Sequence, residues 1–208
     1  MRRSLGLCGA LFSTTLASTL LCGCAPTSTG GATALESQNA LPQRLEASFA
    51  YGAYGVDSSD SSLILSTVPL KALETGDFEH AQIIHAQLMW QPIAGKTPVN
   101  SNATNVVLRY IILVGDQVGV YGGGGFAWPT GTPGTTPLSL DITGSNLALT
   151  ASTEGFRDVL SPATLEGELT GKLDHALMQR FRNAASQLVT DRLGRTLWIY
   201  AAGDLPSS

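Results

Sequence analysis

The three histidines of the chain are the side chains whose type most directly suggests metal binding or acid–base chemistry. His80 and His85 are five positions apart, an odd number, so on a strand their side chains point to opposite faces. His175 opens a predicted helix, where we expect a solvated side chain. A zinc site needs about three or four protein donors, and no spacing in the chain marks carboxylates that would complete one. We therefore predict no metal site and no cofactor.

Glu166 and Glu168 are a carboxylate pair with suggestive spacing, because alternate residues of a strand share a face and lie about 7 Å apart. This separation is at the lower end of the range for carboxylates that cleave glycosides with inversion. Thr170 and Lys172 continue the same face, which favours a solvated charged surface. The chain also lacks a Gly-x-Ser-x-Gly nucleophile motif. We therefore predict no catalytic residues and no enzyme activity, and a hydrolase with an unrecognised site is the least favoured alternative.

An aromatic, turn-rich segment is the remaining candidate for recognition. Tyr121, Phe126 and Trp128 flank the glycines 122–125, and a loop rich in Pro, Thr and Gly follows from Pro129 to Pro137. Aromatic side chains beside such loops can form a recognition surface. A buried Trp that holds a long hairpin together is the favoured alternative. The four glycines predict a bend or a close approach of two backbones.

The first residues of the chain have the pattern of an export signal. Arg2 and Arg3 give a positive start, and Leu5 to Leu21 form an apolar run without charge that Ala, Ser and Thr dilute. Small residues follow the run. The segment is too short and too interrupted for a membrane-spanning helix, so we interpret it as a secretory signal.

The run ends in Leu21-Cys22-Gly23-Cys24, which resembles the lipobox of bacterial lipoproteins. In that family an aliphatic residue and two small residues precede a cysteine whose thiol receives a diacylglycerol. The resemblance implies that residues 1–23 are removed, and that Cys24 becomes the acylated first residue, carrying fatty acids such as palmitate. Cys22 stands where the family usually has Ala, Ser or Thr, and it is small enough to fit. Two or three acyl chains anchor a protein stably to a membrane.

Cysteine usage agrees with this interpretation. The three cysteines are Cys8, Cys22 and Cys24, so no thiol remains beyond the proposed lipid site for a disulfide, a metal or a nucleophile. Removing residues 1–23 leaves 185 residues, ample for one domain stabilised by its core alone.

Charge and position then limit the partners. Once Arg2 and Arg3 are lost, ten basic side chains remain against sixteen acidic ones, a net charge near −6. This balance argues against nucleic acid or anionic lipid as a partner. The expected partners are the membrane, through the lipid on Cys24, and an envelope protein or a small ligand. Ala25 stands where an Asp retains many lipoproteins at the inner membrane, so the resemblance favours the periplasmic face of the outer membrane or the cell surface.

The rest of the chain predicts one domain. Small polar residues with Gly and Pro predict a flexible tether over residues 24–44. A single β-rich domain is expected over residues 45–200, followed by a C-terminal tail over residues 201–208.

Strand patterns dominate the predicted domain. We predict strands at 45–56, 63–68, 81–90 and 164–173, a central strand at 106–114 that turns at Gly115-Asp116 into 118–121, and a hairpin formed by 137–143 and 146–152. One helix is predicted after Asp174, which is a suitable N-cap, and it ends before Gly194. Its apolar stripe includes Leu177, Phe181 and Ala185, while Arg180, Arg182, Asn183 and Gln187 are expected to face water.

The predicted fold class is mainly β with a minor α part: an antiparallel β-sandwich or curled sheet with one C-terminal helix packed on it. The favoured function is a lipid-anchored envelope protein with a structural or protein-interaction role. A domain that binds a small ligand or carbohydrate is the alternative, and a deep apolar pocket would distinguish it.

Overall fold

A computed structural model describes residues 28–57, 60–93, 95, 103–135 and 137–197. The lipobox and the predicted C-terminal tail lie outside the described residues. Within them the chain forms nine strands and two helices: β1 (Gly30–Ser37), β2 (Arg44–Phe49), β3 (Tyr51–Val56), β4 (Ser61–Ser66), α1 (Leu70–Thr75), β5 (His80–Leu88), β6 (Val106–Val114), β7 (Gln117–Thr130), β8 (Leu138–Ser152), β9 (Ala163–Gly171) and α2 (His175–Leu193). In this part of the chain, neither helix is long and apolar enough to cross a membrane.

All nine described strands form one antiparallel sheet in the order β2-β1-β9-β8-β7-β6-β5-β4-β3. The two outermost strands, β2 and β3, are consecutive in the chain and joined by Ala50. The sheet curls until β3 meets the residues after β9. There the Tyr54 amide donates to the Lys172 carbonyl at 3.0 Å, and the Asp174 amide donates to the Tyr54 carbonyl at 3.0 Å. The result is a nearly closed, mainly β fold with a C-terminal helix, which confirms the predicted fold class.

The inner face of the curled sheet is filled by side chains. Its largest residues are one phenylalanine and three tyrosines, all buried: Phe49, Tyr54, Tyr110 and Tyr121. The ring centroids of Phe49 and Tyr110 lie 6.3 Å apart in an edge-to-face arrangement. The Tyr110 hydroxyl donates to the Gln82 side chain. Burial raises the pKa of Tyr110 to about 12, so this phenol stays neutral and packs as part of the core.

Helix α2 covers part of the outer face and forms a second core with it. Met178, Phe181 and Val189 are buried against β3 to β7, together with sheet residues Ile64 and Ile111. The helix begins and ends as predicted. Asp174 accepts a hydrogen bond from the Leu177 amide at 2.9 Å, and Gly194 ends the helix with a φ of 66°.

The prediction for Arg182 is wrong. This side chain is buried, not solvated. It lies four residues after Met178 and three before Ala185, both of which are also buried. Helical spacing therefore places it on the face that packs against the sheet.

The predicted flexible tether is also wrong from residue 30 to residue 37. Residues 30–37 form β1, which is paired with β2 on one side and with β9 on the other. Thr33, Leu35 and Ser37 alternate inward and are buried. The composition does not reveal this strand, because most of its side chains are small and only Leu35 is strongly apolar. The folded domain therefore begins by Gly30, not at Leu45.

Residues 137–152 are not a hairpin either, because β8 runs without interruption from Leu138 to Ser152. The pairing with β9 shifts register between Ile142 and Leu147, and the buried positions change from even to odd numbers across the shift. Gly144 there has a φ of 55°. Buried Ser145 donates to the Leu165 carbonyl at 2.5 Å and accepts from the Leu165 amide at 2.7 Å. This local bulge produces the pattern that resembles two strands.

Strands β5, β6 and β9 lie close to their predicted positions, and β6 lies between β5 and β7 as a central strand should. Helix α1 was not predicted. It follows Pro69, has six residues and ends at Gly76, whose φ is 72°. Six residues are too few for a helical period to be visible in the sequence.

Candidate recognition surface

The histidines lie apart, as their spacing predicts. His80 is exposed at one end of β5, whereas His85 is buried on the face under α2. His85 is the register partner of Arg109 on β6. Burial, and then the charges of Arg109 and Arg182, lower the pKa of His85 to about 3. The imidazole is therefore neutral at physiological pH. Among the described residues, no group of three or more His, Cys, Asp or Glu side chains is placed to hold a metal ion.

Glu166 and Glu168 are exposed on the part of the outer face formed by β2, β1, β9 and β8. Ala34 on β1 is the register partner of both Glu166 and Glu46. Glu46 is in turn bound by exposed Arg44, whose Nε donates to Glu46 Oε1 at 2.9 Å. These side chains form a solvated surface of mixed charge, as the sequence predicts. Thr170, which is expected to continue that solvated face, is instead buried, and its hydroxyl lies 2.7 Å from that of Ser139.

The exposed apolar side chains gather at one end of the sheet. This is the end where β3, β5, β7 and β9 finish and where β1, β4, β6 and β8 begin, and we call it the loop end. Ten large apolar side chains of the described residues are exposed, and six of them lie at the loop end: Val56, Met89, Trp90, Ile93, Trp128 and Leu173. Such concentration on one part of a surface marks an interaction site more strongly than isolated exposed residues do.

Three rings at the loop end form an aromatic cluster of Trp90, Phe126 and Trp128. The Phe126 ring centroid lies 6.3 Å from that of Trp90 and 5.1 Å from that of Trp128, both in edge-to-face geometry. Phe126 is 5% exposed, whereas Trp90 and Trp128 are 40% and 39% exposed. Phe126 is therefore the buried base of the cluster, whereas both tryptophans are exposed to solvent. The interpretation favoured from the sequence, in which Trp128 is buried, is wrong because the buried ring is that of Phe126.

Asn105 fixes the backbone beneath this cluster. Its side chain is fully buried, and Nδ2 donates to the Ala127 carbonyl at 2.9 Å while Oδ1 accepts from the Ala127 amide at 2.7 Å. Nδ2 also lies 3.3 Å from the Trp90 carbonyl. The Asn105 backbone bonds to Gly125 and Met89. One residue thus connects the end of β5 to the part of β7 that carries Phe126 and Trp128.

The glycines of β7 allow the close approach that the sequence predicts. A Cβ atom on Gly123 would lie 1.9 Å from the Asn146 carbonyl oxygen, and a Cβ on Gly125 would lie 2.6 Å from the Ser145 Cβ. Both distances are too short for any side chain. The pairing of β7 with β8 shifts register between Gly124 and Phe126, directly before the aromatic cluster. The glycines therefore belong to a tightly packed irregular part of the sheet and not to a free loop.

Tyr121, the third predicted recognition residue, lies away from the cluster. It is buried in the interior, where its hydroxyl donates to Asp158 Oδ1 at 2.9 Å and its ring centroid lies 6.4 Å from that of Phe156. Burial, together with the hydrogen bond to Asp158, raises the pKa of Tyr121. The structure thus brings Phe126 and Trp128 together with Trp90, a residue 36 positions before Phe126 in the sequence.

An open groove of about 390 Å³ runs beside Trp90 at the loop end, and its wall includes Val56, Asp60 and Pro133. Pro133 belongs to the loop between β7 and β8. This loop folds back over the end of the sheet, since the Gly134 amide donates to the Tyr54 hydroxyl at 3.2 Å. The groove is therefore a surface feature outside the filled interior.

Comparison of the chain with protein-family models, with curated proteins and with solved structures finds no match.

Proposed function

We propose that this protein is an exported lipoprotein of the cell envelope, held to a membrane by lipid on Cys24, with a structural or interaction role at the membrane surface. The lipobox resemblance supports the anchor. The observation that carries the role is the start of the folded domain: Thr29 Oγ1 accepts a hydrogen bond from the Lys172 amide at 3.2 Å, and Gly30 is already paired in the sheet.

This start leaves little chain between the anchor and the domain. Four residue steps separate Cys24 from Ser28, the first described residue, and a fully extended chain covers about 3.5 Å per step. The span is therefore at most about 14 Å. A lipid on Cys24 would keep the domain against the membrane surface, and it would not let the domain range far from it.

The filled interior supports an interaction role over carriage of a small ligand inside the sheet. Tyr54, Tyr110 and Tyr121 occupy the space that a ligand would need. The exposed aromatic cluster at the loop end offers contact area on the outside. The position of Ala25 after Cys24 supports placement at the outer membrane.

Metabolic labelling tests the anchor in cells that express the full chain. We expect a clickable palmitate analogue to label the wild type and the Cys22→Ala variant, since Ala is common at that lipobox position. The Cys24→Ala variant should lose the label. Labelling that persists in Cys24→Ala, or that is absent from the wild type, would overturn the proposal.

A further inference from the structure

We propose that the loop end of the sheet lies against the lipid bilayer that holds the anchor, with Trp90 and Trp128 in the interfacial region. This inference rests on the proposed lipidation of Cys24. The aromatic cluster then contacts a lipid surface rich in phosphatidylcholine or phosphatidylethanolamine.

The path of the chain places the anchor near the loop end. β1 enters the sheet at the loop end, because Gly30 is the register partner of Thr170 near the end of β9. The same end carries the exposed apolar side chains Met89, Trp90 and Trp128. An anchor at most about 14 Å from Ser28, on the side from which β1 begins, therefore favours contact between the loop end and the bilayer.

The chemistry of the exposed surface at the loop end suits the boundary of a bilayer. Tryptophan combines a large apolar ring with one N–H donor, and it is enriched at the boundary between lipid tails and headgroups. The two tryptophans are partly exposed, and both pack edge-to-face on buried Phe126, while the Asn105 side chain bonds to the Trp90 carbonyl. They are thus already oriented for contact, and little conformational freedom would be lost on docking.

Charge favours a neutral lipid surface. The described charged residues around the loop end include Asp57, Asp60 and Asp174 against Lys172. This balance gives no attraction to anionic lipid, unlike the basic clusters that bind such membranes. Contact would depend on the acyl anchor and the apolar side chains. We expect it to persist when the salt concentration is raised.

The anchor and the cluster would act together. Two or three acyl chains supply the stable attachment. A linker this short keeps the loop end at a high effective concentration next to the lipid, so a surface that binds membranes weakly on its own can dock. The role of the cluster is therefore to set the orientation of the domain.

A depth measurement tests the orientation directly. Beyond Cys24 the sequence contains no cysteine, so one introduced cysteine gives one labelling site. We choose Met89→Cys at the loop end and Val159→Cys at the opposite end as its control, because these side chains are 41% and 45% exposed. Each lipidated full-length variant is labelled with a fluorophore and reconstituted into phosphatidylcholine vesicles that contain nitroxide-labelled lipid.

We expect the nitroxide lipid to quench the probe at position 89 at least threefold more strongly than the probe at 159, with no change at high salt. Equal quenching, or stronger quenching at 159, would overturn the inference.

Vesicle flotation separates this failure from failure of the anchor. Protein that does not float with vesicles contradicts the proposed lipidation itself. Protein that floats without quenching at 89, while a photo-cross-linker at Trp128 captures an envelope protein in cells, contradicts only the lipid contact.

Discussion

Asn105 pairs its side-chain amide with both backbone polar groups of Ala127, at 2.9 Å to the carbonyl and 2.7 Å from the amide. The pairing lies on the β6 side of β7, just beyond the last ladder pair of Val106 with Gly125. It is completely buried. This buried side chain thus holds the backbone between Phe126 and Trp128, two of the three residues of the aromatic cluster.

Asn105→Ala should destabilise the protein by about 2–4 kcal/mol, because two buried backbone groups lose their partners. Urea denaturation followed by circular dichroism measures the free energy of unfolding. Asn183→Ala on the exposed face of α2 serves as the control and should change stability by less than about 0.5 kcal/mol. Equal stability of the two variants would show that the Asn105 pairing contributes nothing.

Phe126→Ala and Trp128→Ala should have different effects although the rings are in contact. Phe126 is the buried base, so its loss should cost about 3 kcal/mol through the cavity left behind. Trp128→Ala removes an exposed ring and one edge-to-face contact, and we expect a cost of about 1 kcal/mol. Thermal unfolding of both variants measures the difference, and the reverse order would contradict the assigned roles.

His85 should make the protein less stable in acid. Its folded-state pKa is about 3, below its ordinary value near 6.5. Between these values the unfolded chain binds a proton that the folded chain does not, so stability falls as the pH falls. The slope attributable to His85 approaches about 1.4 kcal/mol per pH unit. His85→Gln should unfold with a shallower dependence on pH between 6 and 4, and an unchanged dependence would contradict a neutral buried imidazole.

Asp174→Ala should cost about 1 kcal/mol through loss of the hydrogen bond to the Leu177 amide at the start of α2. Asp174→Asn keeps an acceptor in the same place and should unfold within a few tenths of a kcal/mol of the wild type. Chemical denaturation of the pair separates the cap from general effects of substitution at this position. Similar losses in both variants would mean that charge, not the hydrogen bond, matters here.

Some of the fold could be predicted from local patterns. β6 is a run of β-branched and aliphatic residues, β9 alternates cleanly, and α2 has a cap at each end, so each is visible within about ten to twenty residues. Local patterns do not reveal β1, and they divide β8 into two strands, for physical reasons. β1 buries small side chains such as Thr33 that composition does not distinguish from a linker, and the bulge at Ser145 reverses the alternation within β8.

The candidate site was predicted only in part for a related reason. Phe126 and Trp128 are two residues apart and visible together, whereas Trp90 joins them through a contact between distant strands. Asn105 gives one local signal, a polar residue directly before the apolar run of β6. That signal does not show which backbone groups it binds. The sequence does not distinguish Tyr121 from Phe126 and Trp128 as a recognition residue, but the Tyr121 side chain faces the interior.

The most direct test of the lipid anchor is the mass of the amino-terminal peptide of the protein purified from cell membranes. The lipid anchor requires a chain that begins at Cys24 and carries a diacylglycerol on its thiol, with no peptide from residues 1–23. An unmodified amino terminus downstream of Cys24 would contradict the lipid anchor, and with it the orientation proposed for the loop end.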